Sequence, residues 1–238
     1  AQVAHIGAGQ HGAGLLDFFL GHSTAASLYT LGDGAGVTAR SLASISGGRI
    51  RTLNCSPNPE NYHDFMNNRP DYAHFFLGPF FDLTPDVRNK IGGGVFEEGF
   101  DVVIEDTTFQ MYGKERTEPI ALAHRHLKPN GLFLLIEKLA QADASEFLHR
   151  EVQKDWNFKS RFFPREDIAT KRKTIVSQMD RQLVTLKELA ESVSLFFRNA
   201  VVTWNSGNFY TVAASNCDSR LRRFTAALTP PALPQEFL

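Results

Sequence analysis

The sequence predicts an α/β protein: a seven-stranded, mostly parallel, Rossmann-like sheet with a helical insertion and an antiparallel C-terminal hairpin. Three observations carry this. Continuous apolar runs, Phe100–Asp106 (FDVVIED) and Leu132–Lys138 (LFLLIEK), alternate with helical segments, as strands covered on both faces do. A short apolar stretch, Ser27–Leu31, runs straight into a glycine turn, Gly32-Asp33-Gly34-Ala35-Gly36, followed by helix-spaced residues Val37–Ser44. Finally, Asn199–Asn205 and Asn208–Ser215 flank Ser206-Gly207, the pattern of a two-residue hairpin turn.

The elements follow in order. Residues 1–26 form an N-terminal helical or lid segment, in which Leu15–Leu20 is a helix packing on the core. Residues 27–215 form the main domain, with the insertion at about 140–180. After the glycine turn and its helix, Arg49–Asn54 is the second strand, and Ser56 N-caps a helix with prolines in its first turns. Tyr72–Leu77 is the third strand, ended by Gly78-Pro79. Residues 82–99, with Gly92-Gly93-Gly94 at their centre, read as a loop able to act as a flap. Lys114–His126 reads as an amphipathic helix, and Leu127–Gly131 as a tight turn before the fifth strand. Leu183, Leu186, Leu189 and Val193 recur at helical spacing, so the last helix before the hairpin packs on the sheet. Residues 216–238, with Pro230, Pro231 and Pro234, read as a poorly ordered or surface-draped tail.

Composition bounds the function. A chain of 238 residues suits one large α/β domain or two small ones. A formal net charge of −1 argues against a generic nucleic-acid or membrane-surface binder but leaves room for a local basic patch. Cys55 and Cys217 are too few for a disulfide scaffold and lack metal-site spacing, as do the eight histidines. A reducing cytoplasm is expected. No apolar run approaches the ~20 residues of a membrane span, and no signal peptide is visible. The chain opens on Ala1, as expected where a preceding segment is processed, trimmed or left out.

Two glycine motifs compete for a ligand. Gly7-x-Gly9-x-x-Gly12 has the dinucleotide fingerprint spacing, with Asp33 some distance on, and would make the protein a nicotinamide (NAD) oxidoreductase. Only Val3-Ala4-His5-Ile6 precedes it, a poor central strand, and Asp33 lies inside the second glycine turn. The later cluster has the strand before it and the helix after it that a nucleotide loop requires. Glu105 and Asp106 end a buried strand at the edge where open α/β sheets bind ligands, and either a ligand or the next helix would use them.

TLGDGAG, LNCSP, TTFQMY, LKPNGLFLLIEK, FKSRFFPREDIATKRK and NFYTVAA occur in an order that resembles the class I S-adenosylmethionine-dependent methyltransferases. Within that superfamily the likeness is greatest to the carboxy-S-adenosylmethionine synthases, over about residues 4–215. The resemblance implies S-adenosyl-L-methionine, or a modified form of it, as cofactor. Its methionine part would lie on Thr30, Gly32, Asp33, Gly34 and Gly36, its ribose at Asn54 and Cys55, and its adenine at Pro79 and Phe80, with Glu105 and Asp106 close by. Arg172, Gln10 and His11 would face a small-molecule substrate, anionic if Arg172 is used, since a guanidinium fork suits a carboxylate. The reaction implied is methyl transfer, which needs positioning and desolvation more than a catalytic triad. Three carboxylates usual in the family are replaced here, by Thr30, Asn54 and Pro79, which leaves a second expectation: a methyltransferase fold with altered or lost cofactor binding and a scaffolding role. The aromatic-rich insertion, with Phe162 and Phe163, is expected to be core or a homodimer surface.

Overall fold

A computed structural model of the chain describes residues 12, 14–19 and 25–228. Seven strands form one sheet in the order β3-β2-β1-β4-β5-β7-β6. They are β1 (Ala26–Leu31), β2 (Ile50–Ser56), β3 (Ala73–Leu77), β4 (Phe100–Asp106), β5 (Leu127–Lys138), β6 (Asn199–Ser206) and β7 (Phe209–Ser215). The first five are parallel, and β7 runs antiparallel to both β5 and β6. This is the topology expected from the alternation of apolar runs and helices, hairpin included.

Both faces of the sheet are buried, which explains why its central strands are apolar throughout rather than alternating. On one face Tyr29, Val103 and Phe133 pack with Phe100, Ile120, Leu189 and Phe197. On the other, Leu28, Val102 and Leu134 pack with Leu15, Phe18, Leu42 and Phe224. Helix α1 (Val37–Ile45) and the helical residues 14–19 cover the second face. The first face is covered by α4 (Thr117–His124) and α7 (Leu186–Ser194). Helix α7 opens on a Thr185–Glu188 capping box and buries Leu189 and Val193, while Leu186, its first residue, stays exposed. Helix α2 (Pro59–Asn67) is capped by Asn58 and not, as expected, by Ser56, which still belongs to β2; it buries Phe65 against Ala43 and Ala73.

Three segments differ from the sequence reading. Residues 82–99 are not a flap: α3 (Pro85–Lys90), N-capped by Thr84, lies between Leu83 and Phe96, both buried in the core. The glycine triplet only turns the chain, with Gly92 and Gly93 at positive φ. Leu127 already pairs with Phe100, and the next ladder pair is Val102 with Leu132, so the expected tight turn is an excursion within β5. Lys128 on it binds Asp101 at 2.9 Å. The expected tail instead forms α8 (Asp218–Ala226), whose Leu221 and Phe224 pack on the second face beside Phe18. Pro230, Pro231 and Pro234 lie outside the described residues.

The insertion comprises α5 (Ala144–Val152) and α6 (Arg165–Lys171), each running on into a π-helical segment, Gln153–Phe158 and Arg172–Val176. It is tied to the sheet by Lys138, buried at the end of β5, whose ammonium donates to Glu151 at 2.9 Å and to Asp180.

Candidate functional site

β1 has β2 on one side and β4 on the other, so the chain reverses its winding direction between β1 and β4. Crevices open at such switch points, at the carboxyl ends of the strands. The glycine turn and Asp106 both lie there. Gly32, with φ 89°, has no room for a side chain: a Cβ would sit 2.1 Å from the Asp106 carbonyl oxygen. This contact clamps the loop after β1 against the loop after β4. Gly34, at φ 52°, is different. Its nearest neighbour would be Asn61 Oδ1 at 3.9 Å, so its backbone faces open space that a ligand can approach.

Asp33 is held in place by the start of α1. Its Oδ1 accepts from the Thr38 hydroxyl at 3.2 Å and its Oδ2 from the Ala39 N–H at 3.1 Å. Asp106 stands across the crevice from it; Thr30, Thr38 and Gly12, with the apolar Leu15, Leu31, Ile104, Leu134 and Ile136, complete the wall. Burial, joined at Asp106 by the charge of Asp33, pushes both carboxyls up to about 6. Hydrogen bonds from Ala39 and Thr38 and the charge of Arg40 only partly offset this at Asp33. Among the described residues neither carboxylate has a salt-bridge partner.

Thr30 and Asn54 use each other. The Thr30 hydroxyl donates to Asn54 Oδ1 at 2.7 Å, and the Asn54 amide donates to the Gly34 carbonyl at 2.9 Å. Both side chains are buried, so the end of β2 braces the glycine turn from behind.

Other candidates lie elsewhere. Glu105 points to the opposite face of the sheet and is fully buried. Its Oε1 accepts from the N–H groups of Thr108 and Phe109, capping the turn after β4. Burial, and then the nearby Glu137 charge, keep its carboxyl protonated well above the usual range. Glu137 is in turn held by Arg116 through a two-pronged bond, 2.9 Å from Nε and 3.2 Å from Nη2. Cys55 donates to the Gly78 carbonyl at 3.3 Å, and burial pushes its thiol up to about 12, far from nucleophilic. Pro79 starts the short turn Phe80–Asp82, and Phe80 is buried against Phe109 and Tyr112. Arg172 lies in the insertion, its Nη1 2.9 Å from Asp155, which Lys159 also holds. Gln10 and His11 lie outside the described residues, as do Gly7 and Gly9; Gly12 of the earlier glycine motif lines the crevice.

Thus the structure gathers Thr30, Gly32, Asp33, Gly34, Gly36, Asn54 and Asp106 and separates Glu105, Cys55, Phe80 and Arg172 from them. Thr38 was not anticipated as a crevice residue. Its position on the first turn of the helix after the glycines, where a hydroxyl can reach back, was the available signal. Among the described residues no group of three His, Cys, Asp or Glu side chains forms a metal site, and no helix is long and apolar enough to cross a membrane.

The fold recurs in solved structures. The plantazolicin methyltransferase BpumL in complex with SAH superposes with a TM-score of 0.60, at 9% identity over 89% of this chain and 85% of that one. The chain has the methyltransferase fold. The mycolic acid cyclopropane synthase CmaA1, complexed with SAH and CTAB, gives a TM-score of 0.50 at 17% identity over 85% of this chain. The cyclopropane synthase MmaA2 from Mycobacterium tuberculosis gives 0.51 at 18% identity, also over 85%. The chain spans 63% of the length of each cyclopropane synthase. No protein-family model and no curated protein matches the sequence. What this chain shares with these proteins is the methyltransferase fold.

Proposed function

We propose that the protein binds S-adenosyl-L-methionine in the switch-point crevice and transfers its methyl group to a small molecule. The observation that carries this reading is the Asp33–Asp106 pair, two carboxylates that face one crevice beside an open glycine backbone and have no salt-bridge partner among the described residues. Asp33 and Asp106 suit the ammonium and the sulfonium of that cofactor, whose amino-acid carboxylate would face away from them. Gly34 leaves its backbone approachable, Asp33 and Asp106 offer negative charge, and Thr30 and Asn54 hold the turn. When bound, the cofactor supplies a methyl group on a leaving group that needs no protonation. The chain then has only to orient the reactants and exclude water, with a base required where the acceptor must lose a proton. Leu15, fully buried at the crevice wall, serves the exclusion of water.

One observation favours a second reading, altered or lost cofactor binding with a scaffolding role. The hydrogen bond between Thr30 and Asn54 occupies the Asn54 oxygen, and no carboxylate ends β2 to receive ribose hydroxyls. A carboxylated form of the cofactor, as in the carboxy-S-adenosylmethionine synthases, would need Arg172, which Asp155 engages in the insertion, so plain methyl transfer is preferred. The proposal takes the protein as cytoplasmic, with Phe162 and Phe163, 36% and 44% exposed, at a homodimer surface.

Calorimetric titration with S-adenosylmethionine, S-adenosylhomocysteine and NAD tests it. Saturable binding of the first two is expected. Silence with all three favours the scaffold, and binding of NAD alone rejects the proposal.

A further inference from the structure

Helix α1 buries Ala39, Leu42 and Ala43 and turns a second stripe outward: Val37, Arg40, Ser41, Ser44 and Ile45. The spacing is that of one helical face. Opposite this stripe lies the loop after α2, with Asn68, Arg69 and Pro70, and the two enclose an open groove of about 490 Å³. Every polar side chain lining it can donate a hydrogen bond: two guanidiniums, two hydroxyls and one amide. No acidic side chain is among them.

Arg116, Arg150, Arg172 and Arg222 each hold a carboxylate. Most arginines of the chain, Arg40, Arg69 and the neighbouring Arg49 and Arg51 among them, form no salt bridge among the described residues, and Arg40 and Arg69 line the groove. The Nε of Arg40 is buried with no acceptor among the described residues, which leaves a donor unsatisfied at a cost in stability that an incoming acceptor would recover. The positive field extends around the edge of the sheet. Burial and then the charges of Arg69 and Arg51 hold His74 below the usual imidazole range, so it stays neutral.

We propose that this groove is a phosphoryl-binding site, separate from the crevice. The guanidiniums of Arg40 and Arg69 would hold the phosphoryl oxygens, for which a planar five-donor fork is matched, with Ser41, Ser44 and Asn68 completing the shell. Val37 and Ile45, 59% and 68% exposed at the two ends of the stripe, give apolar surface to the organic part of a phosphate ester.

The test is titration of the full chain with inorganic pyrophosphate at fixed ionic strength, with sulfate and succinate in parallel. Wild type should bind pyrophosphate saturably and more tightly than either comparison anion. Arg40→Gln and Arg69→Gln should each weaken it about tenfold or more, the loss of one charge-assisted contact, while Arg222→Gln leaves it unchanged. Thermal midpoints within a few degrees of wild type would establish that the variants are folded. A nucleoside diphosphate that binds more tightly than pyrophosphate assigns the site to an ester, and equal affinity assigns it to free phosphate. No saturable binding, equal response to all three anions, or an equal loss in Arg222→Gln would overturn the proposal.

Discussion

Glu105 and Asp106 are adjacent at the end of β4, yet they lead opposite lives. Glu105 turns to the face packed by Phe109 and Phe133, caps the next turn, and is surrounded by the Glu137–Arg116 pair. Asp106 turns to the face where the crevice opens, with Asp33 in front of it. The strand period of two separates a carboxyl that holds a loop from one that waits for a ligand. Position at the carboxyl end of a strand is therefore not enough. The face decides.

Breaking the structural side should have the largest effect. Arg116→Ala leaves the Glu137 carboxylate buried beside Glu105 and removes the donors to Gly113 and Gln182, so we expect a loss of about 3–5 kcal/mol in urea unfolding. A loss below about 1 kcal/mol would mean that the pair is worth no more than a surface contact. On the crevice side the losses should fall on binding. Gly34→Val places a branched side chain into open space at positive φ, at a cost of roughly 1–2 kcal/mol. The protein should stay folded while its affinity for S-adenosylmethionine disappears from calorimetry; unaltered affinity would remove the loop from the site.

Each carboxyl of the acidic pair gives a pH signature of intermediate size. Both carboxyls stand at about 6 in the folded state against 3.8 when free, so the folded protein binds their protons more tightly than the unfolded chain does. Their contribution to stability is complete below about 4 and is lost as pH rises through about 6, by on the order of 3 kcal/mol for each group. A cationic ligand prefers the ionised pair, so its affinity should rise over the same interval. In Asp106→Asn the stability slope between pH 4 and 6 should flatten and the rise in affinity should shrink. An unchanged slope in both would show that other groups titrate there. Smallest of all should be Arg172→Ala, since Lys159 at 2.8 Å still neutralises Asp155; affinity for S-adenosylmethionine should stay within about twofold. A tenfold loss would bring the insertion into the site.

The same comparison explains what the sequence disclosed. The strands were legible because burial on both faces makes each a continuous apolar run. Apolar continuity also hides the phase, so nothing in VVIED says which of Glu105 and Asp106 shares a face with Leu28. The glycine turn was legible because its strand and helix flank it. Helix α3 was not, since three glycines follow it and its anchors Leu83 and Phe96 lie outside it. Helix α8 was hidden by composition: DSRLRRFTA offers two apolar core positions, Leu221 and Phe224, one turn apart among charges. The excursion in β5 has the Lys-Pro-Asn-Gly sequence of a true turn, and only the Phe100–Leu127 pair reveals that the strand has begun.

The most direct measurement is a crystal of the protein soaked with S-adenosylmethionine. The account predicts the amino-acid end of the cofactor between Asp33 and Asp106, against the Gly34 backbone. An adenosyl group lodged elsewhere in the molecule, or a crevice that excludes the cofactor at saturating concentration, would contradict it.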